Sequence, residues 1–129
     1  MDTTENTESS AAISIMKNIA AVREQNIFCD FKLIVDGEEF PVHRVIMAAC
    51  SNTFRNMMIE NTSNNQMTLQ DVSKHELQVL IDFAYSGKLE VTVDNVLYIM
   101  SLLDKYKMTE AFKLCCNFML SNNLNLTTD

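Results

Sequence analysis

This chain of 129 residues has only two glycines and one proline. That scarcity argues against a loop-rich or repeat architecture. Basic residues are also few: 10 Lys and Arg stand against 17 Asp and Glu, for a net charge of −7. Such a balance argues against a nucleic-acid surface of its own. No residue run is long and apolar enough to span a bilayer, and the polar stretch 1–10 does not read as a secretory signal, so the expected location is cytoplasmic or nuclear. The sequons Asn61-Thr62-Ser63 and Asn125-Leu126-Thr127 are discounted on the same ground. Neither a P-loop, a Gly-x-Ser-x-Gly nor a His-Glu-x-x-His pattern occurs. Cys29, Cys50, Cys115 and Cys116 form no Cys-x-x-Cys pair and lie in apolar surroundings, as expected of reduced structural thiols.

What remains is enough chain for one domain with a real core. Residues 1–10 carry acids and no large apolar side chain after Met1, and read as a disordered tail. From 11 to about 25 the spacing of Ile15, Met16, Ile19 and Val22 predicts an amphipathic helix. Its apolar face packs either on its own domain or on a partner. Residues 31–35 favour a strand, Asp36-Gly37 a hairpin turn, and Glu39-Phe40-Pro41 a returning strand whose ladder ends at Pro41. The run 42–50 predicts a buried helix, and Ser51 caps a second one over 52–59. A polar loop follows at 60–66, then a short strand at 67–69. Ser73 with Glu76 is a capping box for a helix that Ser86-Gly87 stops. Leu89 and Val91 alternate as a small edge strand. Asp94 and Thr109 are the expected caps of two last helices, over 95–106 and 110–121. Strands first and helices after give an α+β fold, a small mixed sheet beside a helical cluster, with no glycine-rich βαβ unit for a nucleotide.

Candidate chemistry is sparse. His43 and His75 lie on different elements, which leaves a metal site without converging ligands. His43 reads as a hydrogen-bonded core histidine and His75 as a solvated one. A Cys–His nucleophile pair is conceivable only for Cys29 or Cys50 with His43, and no pattern supplies an orienting acid or an oxyanion hole. Neither a catalytic residue, a cofactor nor a metal is therefore expected. The charges of Asp30 and Arg44 stand at the joints of apolar segments, where burial requires pairing. They form an intradomain ion pair, are solvated at a helix end, or make the charged floor of a dimer groove, and spacing alone leaves these open.

Residues 13–123 resemble the BTB/POZ domain. The residues that carry the resemblance are Val22-Arg23-Glu24-Gln25, Phe28-Cys29-Asp30, the run from Val35 to Arg44, Ala48-Ala49-Cys50-Ser51 with Phe54, Leu80 to Gly87, Asp94-Asn95-Val96, Leu103 to Met108 and Cys115 to Leu120. The Arg-x-Gln-x-x-x-Cys-Asp spacing looks most like the kelch-like branch. The organisation expected is a tail at 1–10, the domain at 11–124, and a frayed end at 125–129, beyond which kelch-like proteins continue into further domains.

The resemblance implies a homodimerising, non-enzymatic interaction module with cullin-3 as partner, the substrate adaptor of a ubiquitin ligase. The alternatives it leaves are a corepressor-recruiting module of a transcription factor and an oligomerisation scaffold without cullin binding. No nucleic acid or membrane is expected as partner. By the family's pattern the dimer interface comprises Ile15, Met16, Ile19, Val22, Asp30 and Arg44. The cullin interface comprises Phe54, Met57, Met58, Thr62, Asn64, Tyr85 and Tyr106. One departure stands out: cullin-binding members usually carry an apolar residue, any residue, then Glu in the loop, and this chain has Thr62-Ser63-Asn64 there, with Ile59 and Glu60 nearby but out of pattern.

Overall fold

The computed structural model describes residues 3–124. Among them the order is α1 (Thr3–Glu24), β1 (Phe31–Val35), β2 (Glu38–Val42), α2 (Arg44–Cys50), α3 (Asn52–Glu60), β3 (Gln66–Thr68), α4 (Lys74–Ser86), α5 (Val96–Lys105) and α6 (Thr109–Ser121). The result is the expected α+β arrangement, helices packed beside a small mixed sheet.

The sheet runs β2-β1-β3, with β1 antiparallel to β2 and parallel to β3. Strand periodicity puts Phe31, Leu33 and Val35 into the core from the central strand. Asp36 (φ 51°) and Gly37 (φ 81°) make the hairpin turn with positive φ at both central residues, the twist that matches the flanking strands. Pro41 does not end the ladder as expected: it sits inside β2, opposite Lys32, and Val42 still pairs with Phe31. An edge strand tolerates proline where its nitrogen faces outward. β3 begins one residue before the expected position.

Helix boundaries follow local chemistry where side chains can supply it. Ser51 Oγ accepts the Phe54 N–H at 3.0 Å and starts α3. Ser73 and Glu76 exchange both bonds of a capping box at 3.0 and 2.9 Å. Gly87, left-handed at φ 72°, ends α4. Three expectations fail. The α2 run is not uniformly buried: Met47 is, but Val45 is 72% exposed. Asp94 and Thr109 are not the caps; Thr92 and Asn95 exchange side chain-to-backbone bonds instead, at 2.8 and 3.2 Å, and α6 starts from Met108. Leu89 and Val91 are half-buried in an extended segment that pairs with no strand among the described residues.

Residues 3–10, expected as a tail, continue α1 without a break. Lengthening a helix that is already docked needs no new nucleus, so each added residue gains a backbone bond at little cost. The sequon at 125–127 and the frayed end at 125–129 lie outside the described residues, as do Met1 and Asp2.

The core is continuous from the sheet through α2–α6, with Phe31, Leu33, Met47, Phe54, Leu77, Leu80, Leu103 and Met108 almost wholly enclosed. Helix α1 lies against α4, and Ile19 and Ala20 pack onto this core.

Candidate functional site

No group of three or more metal-binding side chains converges among the described residues, and no helix among them is long and apolar enough to cross a membrane. The nearest approach to a nucleophile pair is Cys29 Sγ, 3.8 Å from His43 Nε2. The surrounding bonds fix what that histidine can do. Nε2 lies 2.9 Å from the Ile27 carbonyl, which only accepts, so Nε2 carries the proton and donates. Nδ1 is then the acceptor, 2.8 Å from the Tyr85 hydroxyl, which donates to it while accepting the His43 backbone N–H at 2.9 Å. Nε2 therefore has no lone pair to offer Cys29 as a base. Burial also pushes the Cys29 thiol up, with Arg23 only partly opposing and Asp30 adding to the rise. Cys50 is driven further, to about 11, by burial. These are unactivated thiols.

The same bonds define a structural joint. Arg23 Nε donates to the Pro41 carbonyl at 2.9 Å, and its guanidinium carbon lies 5.5 Å from the Tyr85 ring centroid. His43, Tyr85 and Arg23 thus fasten the end of α1 to β2, the start of α2 and the end of α4. Tyr85, expected on a cullin surface, is a buried member of this joint. Desolvation pushes its phenol up to about 12, against smaller lowering influences from the His43 backbone bond and Arg23.

Of the residues the resemblance assigns to dimerisation, those on α1 divide. Ile19 packs on the domain's own core, and Met16 and Val22 are half-buried. Ile15 is 58% exposed, and Ile13, which the assignment omitted, is 57% exposed. Met16 also borders an open groove of about 720 Å³ whose wall includes Val45, Ala48, Ala49, Phe83 and Ala84.

Asp30 and Arg44 do not form the buried ion pair that the sequence left open. Asp30 is exposed, and its Oδ1 accepts the backbone N–H of Arg44 at 2.8 Å, satisfying a free donor at the start of α2. The Arg44 guanidinium turns the other way. It stacks over Phe31 at 4.5 Å and donates to the carbonyls of Met58 (3.3 Å), Asn61 (3.1 Å) and Asn64. Charge is thus met by carbonyl dipoles rather than by a carboxylate.

The residues assigned to a cullin interface divide by depth. Phe54, Met58 and Tyr106 are core, with Phe54 and Tyr106 stacked at 5.0 Å between centroids. Met57 is half-buried, and Thr62 and Asn64 are exposed. Beside them the assignment passed over Ile59, 63% exposed on the last turn of α3. Phe28 was missed as a surface feature too: it is 85% exposed, and its backbone has φ 62°, a left-handed conformation unusual for an aromatic residue. A large aromatic ring left in solvent on such a backbone adds nothing to the core. Position 28 carries neither the glycine nor the asparagine that announces a left-handed backbone, so this signal was absent from the sequence.

Comparison with known proteins agrees with this geometry. Residues 19–123 match the BTB/POZ domain, and the chain belongs to that family. Among curated relatives, human Kelch repeat and BTB domain-containing protein 3 is 33% identical over 113 residues, covering 85% of this chain and 18% of the relative. Zebrafish Kelch-like protein 21 is 32% identical over 111 residues, covering 84% and 18%. The chain thus spans under a fifth of the length of these relatives. Among solved structures, the BTB domain of human gigaxonin superposes with a TM-score of 0.72 at 30% identity, covering 84% of this chain and 90% of that one. The resemblance read from the sequence, including its kelch-like character, holds, and the domain is a protein-interaction module.

Proposed function

We propose that the chain is a homodimerising BTB module that binds the N-terminal region of cullin-3 as the substrate adaptor of a ubiquitin ligase. The observation that carries this reading is the similarity to kelch-repeat BTB proteins across more than four-fifths of the chain. The surface fits it at two places. Self-association uses the outward face of α1, Ile13 and Ile15, together with the groove beside Met16 and Val45. The cullin face is formed by Met57, Ile59, Thr62 and Asn64, with Phe54, Met58 and Tyr106 as the packed support beneath.

Ile59 and Glu60 replace, one turn early, the apolar and acidic residues that the loop lacks. An exposed aliphatic anchor within a polar rim has the composition of a binding hot spot. Titration of the purified chain with a cullin-3 N-terminal fragment by calorimetry tests the proposal. One cullin per protomer at submicromolar affinity is expected; absence of heat and of a complex by gel filtration refutes it. A scaffold without cullin binding is the second reading, favoured by one detail: Asn64 stands where the acid belongs, and its side-chain amide is already engaged with Asn61 Oδ1 at 3.1 Å.

A further inference from the structure

We infer that Arg44 is a positioning residue that presets the loop at 61–66, the segment that the proposed partner face uses; the functional half of this inference rests on that proposal. The loop's own asparagines supply local turn bonds, but nothing in its composition ties it to the rest of the domain. It holds no proline, no glycine and no large apolar side chain, and residues 62–66 are all exposed. Polar segments of this kind have little apolar burial to offset their conformational entropy.

Order is instead imposed from outside. Arg44 is anchored at three levels: its N–H by Asp30, its guanidinium plane by the Phe31 ring, and its donors by the carbonyls of Met58, Asn61 and Asn64. The three carbonyls span the end of α3 and the loop after it, where a helix leaves acceptors without intrahelical donors. A planar guanidinium serves several such acceptors at once; an ammonium is a single point. The loop completes the clamp with Asn61 Nδ2 on the Met57 carbonyl at 2.8 Å, Asn64 Nδ2 on Asn61 Oδ1, and the Lys32 N–H on the Asn65 carbonyl at 2.9 Å. The Lys32 bond comes from β1, so the loop is held from the sheet as well as from α2. No charged side chain lies within 61–66, and Arg44 is the cation turned toward it.

Hydrogen exchange on the full chain, wild type against Arg44→Lys, tests the inference. The Asn61 and Asn64 amides are expected to exchange about tenfold faster in the variant, while α5 keeps its protection. Unchanged exchange across 61–66 overturns the inference. So does an equal rise throughout the chain, which makes Arg44 a general stability residue. Titration with the cullin-3 N-terminal fragment separates the two proposals. If the wild type binds, the variant is expected to bind about tenfold more weakly, and equal binding overturns the positioning role. If the wild type does not bind, the adaptor reading fails, and the exchange result alone decides whether Arg44 sets the loop.

Discussion

The Ser51 hydroxyl donates to the Tyr106 carbonyl, and the same oxygen accepts the Phe54 N–H. One side chain therefore starts α3 and ties it to the end of α5, directly beside the stacked rings of Phe54 and Tyr106. Ser51→Ala removes both bonds in a buried setting. A loss of about 2 kcal/mol is expected, read as a fall of roughly 6–10 °C in thermal midpoint. An unchanged midpoint contradicts this role.

Tyr85→Phe leaves His43 Nδ1 and the His43 backbone N–H without their shared partner. A cost of about 2–3 kcal/mol is expected from the buried unsatisfied groups, measured by urea unfolding. The phenol also gives the wild type an alkaline limit. Its folded value is raised above the ordinary 10, to about 12, so its contribution is complete below pH 10 and is lost as pH rises toward 12. The Phe variant should lack that part of the alkaline decline.

Glu76 titrates in the opposite sense. The Tyr98 hydroxyl, followed by the Ser73 backbone N–H, holds its carboxyl below the ordinary 4.5. The stabilisation is present above that value and is lost as pH falls through the lowered one. Tyr98→Phe should flatten the acid limb of a stability–pH curve, and, because the same bond raises the Tyr98 phenol above the ordinary 10, it should also remove that phenol's part of the alkaline decline; an unaltered acid limb counts against the contact.

Ile13→Asp with Ile15→Asp changes only exposed positions of α1. Light scattering is expected to report monomers while the circular dichroism of the fold persists. A dimer of undiminished strength would remove α1 from the interface. Ile19 is unsuited to this test, because it packs on the domain's own core.

Ile59→Asp should weaken binding to the cullin-3 fragment at least about tenfold, the loss of one hot-spot anchor, with the thermal midpoint nearly unchanged. Tyr106→Ala should behave differently, lowering stability by about 3 kcal/mol as a buried aromatic truncation does. Equal affinity in the Ile59 variant would take that residue off the partner face.

Much of the fold was legible because its signals are local. The Asp36-Gly37 turn, the Ser51 cap, the Ser73–Glu76 box and the Gly87 stop each depend on residues within a few positions of one another. The failures have a common cause in tertiary context. Pro41 is compatible with pairing only because β2 is an edge strand, and Leu89 and Val91 have strand alternation but no neighbouring strand among the described residues. For the candidate site, the family resemblance singled out Phe54, Met58, Tyr85 and Tyr106 without revealing depth: aromatic and Met residues serve a core as readily as a surface. Asp30 and Arg44 were identified as joints, but which way a long guanidinium turns depends on where carbonyls from a distant loop arrive.

The placement of Pro41 has a further consequence for aggregation. Its carbonyl receives Arg23 Nε, and in an antiparallel strand the nitrogen of the same residue faces the same side. The outer margin of β2 thus offers a ring where a donor would be and an acceptor already occupied. At the other margin β3 is only three residues long. A sheet guarded in this way is a poor template for adding foreign strands.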